Sequence, residues 1–180
     1  ISNNDHLYLS GSFGRDKFKF NNTSRSFSTT IPWGNATTTL RWNHSFSKKL
    51  FSNVSLIYND YKFDFLGRQD DFKIGLSSGI KDWSAKADVD YFASTSHKIK
   101  FGGQYIYHTF YPSVASGSQD SIVFAPANTQ RKFAGEYGLY IQDDWDISKF
   151  LKVNYGVPLS AFQQLGPYTA FTTDANGNKR

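Results

Sequence analysis

The sequence predicts an all-β fold, made of about seven long antiparallel strands of a transmembrane β-barrel. Apolar and polar residues alternate with a period of two along most of the 180-residue chain, as in strands with two different faces. The strand candidates run to about 11–15 residues, whereas globular strands average about five or six. Aromatic residues reach 18% although only 39% of residues are hydrophobic, which is typical of a wall with one apolar face, one polar face and aromatic rims.

Composition excludes several classes of function. The chain has no Cys, so disulfides and thiolate metal sites are excluded. Its net charge is +5, but Lys and Arg are scattered along the chain, so we expect no nucleic-acid partner. No catalytic motif is present, and the four histidines lack the spacing of a metal pair. We therefore expect no enzyme activity, no cofactor and no bound metal.

The chain is expected to be a processed or internal piece of a larger protein. It contains no Met and no segment with the features of a signal peptide. No apolar run approaches the ~20 residues that a membrane helix needs. Alternating strands could still cross a membrane, since their polar face lowers the average hydropathy.

The predicted strands alternate with two kinds of connection. We place the strands at 7–20, 33–46, 51–65, 72–94, 98–111, 132–146 and 151–162. Short turns are predicted at 47–50, 94–97 and 147–150. Longer loops are predicted at 21–32, at 112–131 and after 165, with a short exception at 66–71. This alternation is typical of outer-membrane barrels, in which the short turns are periplasmic.

The segment 72–94 has two interpretations. Its apolar residues change parity between Leu76 and Trp83. A β-bulge shifts parity by one residue, so one long bulged strand is possible, and a hairpin is the alternative. Lys81 and Asp82 are poor residues for a tight hairpin turn. We therefore favour a single strand with a bulge near 79–82.

The alternation also predicts which residues face the inside of the barrel. Polar residues every second position cannot face lipid cheaply. The lumen-facing candidates are Arg41, Asn43, Asn53, Lys100, Gln104, Glu136 and Gln142. Aromatic residues beside the short turns are candidates for an interfacial belt: Phe46, Phe51, Trp145 and Phe150. Asp143 interrupts an apolar row near its end, where we expect water to reach it. Ordinary packing in a soluble sandwich is the alternative explanation of these aromatics.

Several short segments, taken in order, resemble one known family. They are RDKF at 15–18, WGN at 33–35, LRWNH at 40–44, KLFSN at 49–53, SGIKD at 78–82, HKIKFG at 97–102, YIQDDW at 140–145 and NYGV at 154–157. Together they resemble the barrel of Bacteroidota TonB-dependent outer-membrane transporters, in the SusC-like, carboxypeptidase-regulatory-like group. The resemblance covers nearly the whole chain. Pro158 departs from the pattern, and a proline in a sheet belongs at an edge or a bulge.

The resemblance implies a 22-stranded barrel in the outer membrane, plugged by an N-terminal domain and energised through TonB. It implies import of a bulky nutrient ligand and, in many members, a SusD-like surface lipoprotein as partner. Residues 1–180 would then be a partial barrel domain without plug or TonB box, contacting lipid and the rest of its own barrel. Two alternatives stay open: a non-transporting outer-membrane barrel, such as an adhesin or a structural component of a surface complex, and a soluble β-rich binding module.

Overall fold

The chain folds into one antiparallel sheet. The computed structural model describes residues 2–119, 122–124 and 130–166. The strands are β1 (Asp5–Asn22), β2 (Phe27–Ser47), β3 (Leu50–Gln69), β4 (Phe72–Phe92), β5 (His97–Gln119), β6 (Ile122–Phe124), β7 (Lys132–Ser148) and β8 (Leu151–Leu165). One 3₁₀ turn, Thr23–Arg25, separates β1 from β2. Among the described residues, no helix is long and apolar enough to span a membrane.

The strands follow one another as an up-and-down meander. Their order in the sheet is β1-β2-β3-β4-β5-β7-β8, and the short β6 pairs with the end of β5. The prediction of an all-β antiparallel fold with seven long strands is confirmed, and β6 is an additional strand of three residues. Within the described residues, β1 and β8 each pair on one side only, so the sheet is open. Pro158 lies on β8 opposite Tyr140, in a strand that pairs on one side only among the described residues.

The predicted loop at 21–32 is wrong. The first two strands continue through it, with β1 ending at Asn22 and β2 beginning at Phe27. Its Ser and Thr residues pair with both neighbouring strands, because β-branched Thr suits the extended backbone as well as a loop. The actual turn is closed by Asn22, whose side chain accepts from the Arg25 N–H, and by Ser26 in the left-handed region.

Most of the other connections are also shorter than the predicted ranges, although the one at 93–96 has the predicted length of four residues. β3 runs to Gln69 and β4 starts at Phe72, so Asp70 and Asp71 alone make the turn. Asp70 has a φ of 49°, a conformation that Asp tolerates better than most residues. β5 continues to Gln119, and the rest of the predicted 112–131 loop lies partly outside the described residues, as does nearly all of the tail. The prediction of a long loop is therefore wrong at 21–32, and the loop predicted at 112–131 is strand at 112–119 and 122–124. The connection at 66–71 is short, as expected.

Segment 72–94 contains one long strand, as predicted, but this strand has no bulge at 79–82 in its pairing with β3. β4 pairs with β3 in continuous register from Phe72 to Tyr91, so its backbone has no bulge at 79–82 on that side. The irregularity lies between Ser77 and Gly79 in the pairing with β5, where β5 carries the extra residue. The change of parity in the sequence therefore reflects a change in which face is apolar.

The register divides the side chains between two faces. We call face A the face that carries the cross-strand row Leu9, Leu40, Leu56, Ala85, Tyr105, Tyr137 and Ala161. Face B carries the adjacent row Tyr8, Arg41, Ser55, Lys86, Gln104, Gly138 and Ser160. No second layer packs on either face in the described part of the chain. Ala134 and Ser55 are the only non-glycine residues there that are buried.

Candidate functional site

The seven predicted lumen residues all lie on face B. The continuous register of the long strands gives them this common side. Asn43 pairs directly with Asn53, and Lys100 pairs with Gln142. Arg41, Gln104 and Glu136 lie on the same face without pairing with one another. The sheet thus brings these residues onto one surface but assembles them into no single cluster, and their exposure to a lumen stays a prediction.

A charged network that the sequence did not predict lies on face B near the turns at 48–49, 93–96 and 149–150. We call this end of the sheet the turn side. Lys86 Nζ lies 3.2 Å from Asp88 Oδ2, and Lys98 Nζ lies 3.1 Å from Asp90 Oδ1. The Tyr140 hydroxyl donates to Asp88 Oδ1 at 2.7 Å, reaching across β5 from β7 to β4. Gly102 is the β5 residue between these partners. A Cβ on Gly102 would lie 2.8 Å from Asp88 Oδ1 and 2.8 Å from Tyr140 Cε1, so the contact depends on this glycine.

One histidine on face B lies between two carboxylates. His108 Nδ1 is 2.8 Å from Asp82 Oδ1, and its Nε2 is 3.6 Å from Glu136 Oε2. The three side chains come from β4, β5 and β7, so the contact links three adjacent strands. Within the described ranges, no group of three or more His, Cys, Asp or Glu residues is arranged to hold a metal ion. The arrangement therefore functions as a polar cross-link in the sheet.

The turn-side edge of face A carries two similar His–Asp–Trp clusters. In the first, Asp5 Oδ1 lies 2.6 Å from His44 Nδ1 and accepts from Trp42 Nε1 at 3.0 Å. The bond from His44 is the largest influence that holds the pKa of Asp5 well below its usual range, and bonds from Ser2 and Trp42 add to it. Asp5 is the first residue of β1 and lies on the turn side of Leu7.

The second cluster accounts for Asp143, the carboxylate in an otherwise apolar row. Asp143 Oδ2 lies 2.6 Å from His97 Nδ1 and accepts from the Tyr155 hydroxyl at 3.0 Å. The His97 ring stacks on Trp145 with 5.4 Å between centroids. Asp143 therefore receives polar contacts from both neighbouring strands, β5 and β8. Its partners are far apart in sequence, so no local motif could predict either cluster.

The predicted belt residues lie in three different settings. Phe46 and Trp145 lie on face A, each beside a histidine, with the Phe46 and His44 rings edge to face at 4.4 Å. Phe51 lies on face B, where its ring meets the edge of Phe92 at 5.9 Å. Phe150 is in a turn and is 99% exposed. All four are at the turn-side end of the sheet, but they form no single row, and their contact with an interface stays a prediction.

The polarity of the two faces exchanges toward the end of the sheet that carries the connections between β1 and β2 and between β3 and β4. We call this end the loop side. On face B, the polar residues give way to a group of apolar and aromatic ones: Phe18, Ile31, Trp33, Tyr61, Phe63, Phe65, Leu76, Ile80 and Phe110. On face A, the apolar residues give way to Lys and Arg over the same stretch. No phase change in the backbone of β2, β3 or β4 relative to one another accompanies the exchange.

Comparison with known proteins identified no matching family model, no similar curated protein and no similar solved structure.

Proposed function

We propose that the chain forms part of the wall of a TonB-dependent outer-membrane transporter that imports a bulky nutrient ligand. The observation that carries the membrane part of this proposal is the uncovered apolar band of face A. The band crosses all seven long strands, from the turn side to Phe13, Tyr58, Trp83, Tyr107 and Phe133. The transporter part is supported by the resemblance of the sequence to that family.

The apolar band would cost too much free energy if water covered it. Leu9, Val157 and Leu159 are 75%, 70% and 67% exposed, and many neighbours on face A are similarly uncovered. Leaving one large apolar side chain in water instead of burying it costs about 1.5–3 kcal/mol. A dozen such residues would cost more than the ~5–15 kcal/mol by which a domain is stable. Lipid chains would cover this surface without a second protein layer.

The height of the band fits a bilayer. On β7 it extends from Phe133 to Trp145, twelve residue steps, and includes Asp143 with its histidine close to the turn-side end. At ~3.3 Å per residue this is ~40 Å along the strand. A tilt of ~45°, usual for membrane barrels, reduces it to ~28 Å, close to the ~25 Å apolar band of outer-membrane barrels.

The open edges of the sheet favour a larger barrel. Unpaired backbone groups inside a bilayer cost several kcal/mol each, and β1 and β8 each leave one edge unpaired within the described residues. We propose that further strands of the same barrel pair with both edges. Face B would then line the lumen, with Arg41, Gln104 and Gln142 on the hydrated wall. A plug, TonB and a SusD-like lipoprotein are the partners that this assembly would have.

The membrane placement is tested by labelling neighbouring positions on opposite faces. The chain has no cysteine, so Leu159→Cys on face A and Ser160→Cys on face B give matched single-thiol sites in the full-length protein. In intact outer membranes, we expect a water-soluble maleimide to label Ser160→Cys at least tenfold faster. Brominated lipids should quench a fluorophore at Leu159→Cys only. Equal labelling of both sites would overturn the membrane placement.

The transporter assignment needs a separate measurement. We expect the full-length protein, in membranes, to cross-link with the periplasmic C-terminal domain of TonB. Deleting the segment of the protein that contacts TonB should abolish the cross-link. The two faces could label differently while the protein makes no cross-link to TonB. That result would support a barrel wall, contradict the assignment as a TonB-dependent transporter and favour the non-transporting alternative.

A further inference from the structure

We propose that the open edge of β1 pairs with a further strand of the same chain that carries carboxylates opposite Lys17 and Lys19 and a cation opposite Asp16. This inference rests on the proposed barrel and names the chemistry of the strand that continues it. Lys17 and Lys19 lie on the loop-side part of face A, and Asp16 lies beside them on face B. We call these three residues the charged triplet.

The charged triplet has no counter-charge on the neighbouring strand β2. All three residues of the triplet are exposed. Their direct cross-strand partners are neutral: Trp33, Pro32 and Thr30. The whole stretch of β2 from Phe27 to Leu40 has no charged residue. No ion pair among the described residues includes a member of the triplet. Any charge that complements the triplet across a strand boundary therefore comes from the open side of β1.

Arg15, the fourth charged residue of this stretch, has contacts within the sheet. Its guanidinium carbon lies 5.3 Å from the centroid of the Phe13 ring. A Cβ on Gly34 would lie 3.1 Å from Arg15 Cγ, so the stem of this arginine leans over β2. Within the described part of the chain, neither Lys17 nor Lys19 has a comparable contact with an aromatic ring. The triplet is therefore the part of β1 that lacks partners.

The other edge strand, β8, is in the opposite situation. Its one charged residue is Lys152, whose Nζ lies 2.9 Å from Asp146 Oδ1 on β7. The Asn154 amide and the Tyr155 hydroxyl also donate to carboxylates of β7. Its inner neighbour thus supplies the charges that β8 needs, whereas the inner neighbour of β1 supplies none. We therefore expect the complementary charges on the strand next to β1.

The direction of the strands restricts what can occupy this edge. The seven long strands alternate in direction across the sheet, so β1 and β8 run the same way. An antiparallel barrel therefore cannot close by pairing β1 with β8 and needs an odd number of further long strands. Antiparallel pairing with β1 of a second copy would turn one of the two sheets upside down in the membrane. A further strand of the same barrel, running from the loop side to the turn side, meets neither objection.

The signs of the charges specify the register of this strand. Opposite charges that face each other across a sheet are stabilising, and like charges are destabilising. Read from the loop side, the expected pattern is an acidic residue, any residue, an acidic residue and a basic residue. These positions face Lys19, Phe18, Lys17 and Asp16 in turn. A slip of one residue would move every charge to the other face, so the triplet favours one register.

Zero-length cross-linking of the full-length protein in outer membranes tests this pairing. A carbodiimide joins a lysine amine to a carboxylate only where the two groups touch. We expect peptide mass spectrometry to find Lys17 and Lys19 joined to two acidic residues of one strand of the same chain, separated by a single residue. Lys81 and Asp60, with 3.2 Å between Nζ and Oδ2, give the internal positive control.

Charge reversal supplies an energetic test of the same contact. The double variant Lys17→Glu, Lys19→Glu should lower the ratio of folded to unfolded protein in urea about tenfold, since two attractive pairs become repulsive. Changing the two cross-linked carboxylates to Lys in that variant should restore the ratio. The control Lys48→Glu, Lys49→Glu makes the same change of charge in a turn and should alter the ratio less than about twofold.

Four results would overturn the inference. Products that join Lys17 to Asp64, which lies across β2 in the same cross-strand row, would assign its partner to the sheet itself. Products between two copies would assign the edge to a second molecule. Formation of the Lys81–Asp60 product without any product of the triplet would leave its lysines to solvent or lipid. Equal effects of the two charge reversals would show a general response to net charge. Each of these leaves the opposite labelling of the two faces intact, so a failure here is distinguishable from a failure of the membrane placement.

Discussion

Replacing Gly102 tests the packing of the polar face most directly. A Cβ at this position would lie 2.6 Å from the Ala87 carbonyl oxygen, in addition to the two 2.8 Å contacts with Asp88 and Tyr140. The Ala87 contact is with backbone and cannot be relieved by a side-chain rotation. Gly102→Ala must therefore separate β4 from β5 locally or displace Tyr140 from Asp88.

The expected decrease in the free energy of unfolding has two sources. Overpacking a tight site costs about 1–3 kcal/mol, and losing a hydrogen bond to a charged acceptor costs about 1.5–3 kcal/mol. Alanine also restricts the unfolded chain, which stabilises by about 0.4–1 kcal/mol. We expect a net loss of about 3 kcal/mol in the free energy of unfolding. Urea unfolding of the full-length protein in phospholipid vesicles, followed by tryptophan fluorescence, measures it.

A second glycine on the same face supplies the control. A Cβ on Gly14 would have no heavy atom within 4 Å, so Gly14→Ala should change the free energy of unfolding by less than ~1 kcal/mol. Tyr140→Phe removes the hydrogen bond without adding bulk and should cost about 1.5 kcal/mol or more. Combining it with Gly102→Ala should cost less than the sum of the two single changes. Equal effects of Gly102→Ala and Gly14→Ala would refute the reasoning.

Two further predictions concern face A. Leu139→Lys places a charge in the apolar band and should destabilise the protein in vesicles by about 2–4 kcal/mol. The control Gln104→Lys, on face B, should cost less than ~1 kcal/mol. Similar costs of the two variants in urea unfolding would contradict the assignment of the faces. Because the pKa of Asp5 is lowered from 3.8 in the folded protein, the stability that its bonds provide is present above about pH 4 and is lost as the pH falls further. Acid unfolding should therefore show a smaller loss of stability below pH 4 for Asp5→Asn than for the unchanged protein.

The strands and their faces could be predicted because they depend on local pattern. A period of two assigns a residue to a face without any knowledge of the neighbouring strand. The seven candidates from Arg41 to Gln142 therefore share one face of the sheet, and their exposure to a lumen stays a prediction. Strand ends were predicted less well, since Ser and Thr suit both loops and strands. The stretch from Phe27 to Thr30 is the clearest case, because it pairs on both sides.

The polar clusters could not be predicted because they depend on register between strands. His44 and Asp5 are 39 positions apart, His97 and Asp143 are 46 apart, and His108 and Asp82 are 26 apart. A shift of one residue in any of these pairings would send the partners to opposite faces. The period within each strand contains no information on that shift. The histidines therefore had no visible partners in the sequence.

The exchange of polarity between the faces explains why a bulge was wrongly predicted at 79–82 in β4. It also explains why the strands are longer than a membrane crossing requires. The segments from Phe72 to Leu76 and from Trp83 to Val89 have opposite parity, yet they belong to one strand in unbroken register with β3. A membrane strand needs ~9–11 residues to cross, and β4 has 21. In the proposed placement, the remaining residues extend on the loop side, where face A would meet headgroups and water instead of acyl chains. Face B is there the better place for aromatic side chains, because closure of the barrel would shield them from bulk water. The reversal is therefore what the proposed placement requires of a continuous strand that leaves the membrane while remaining in the wall.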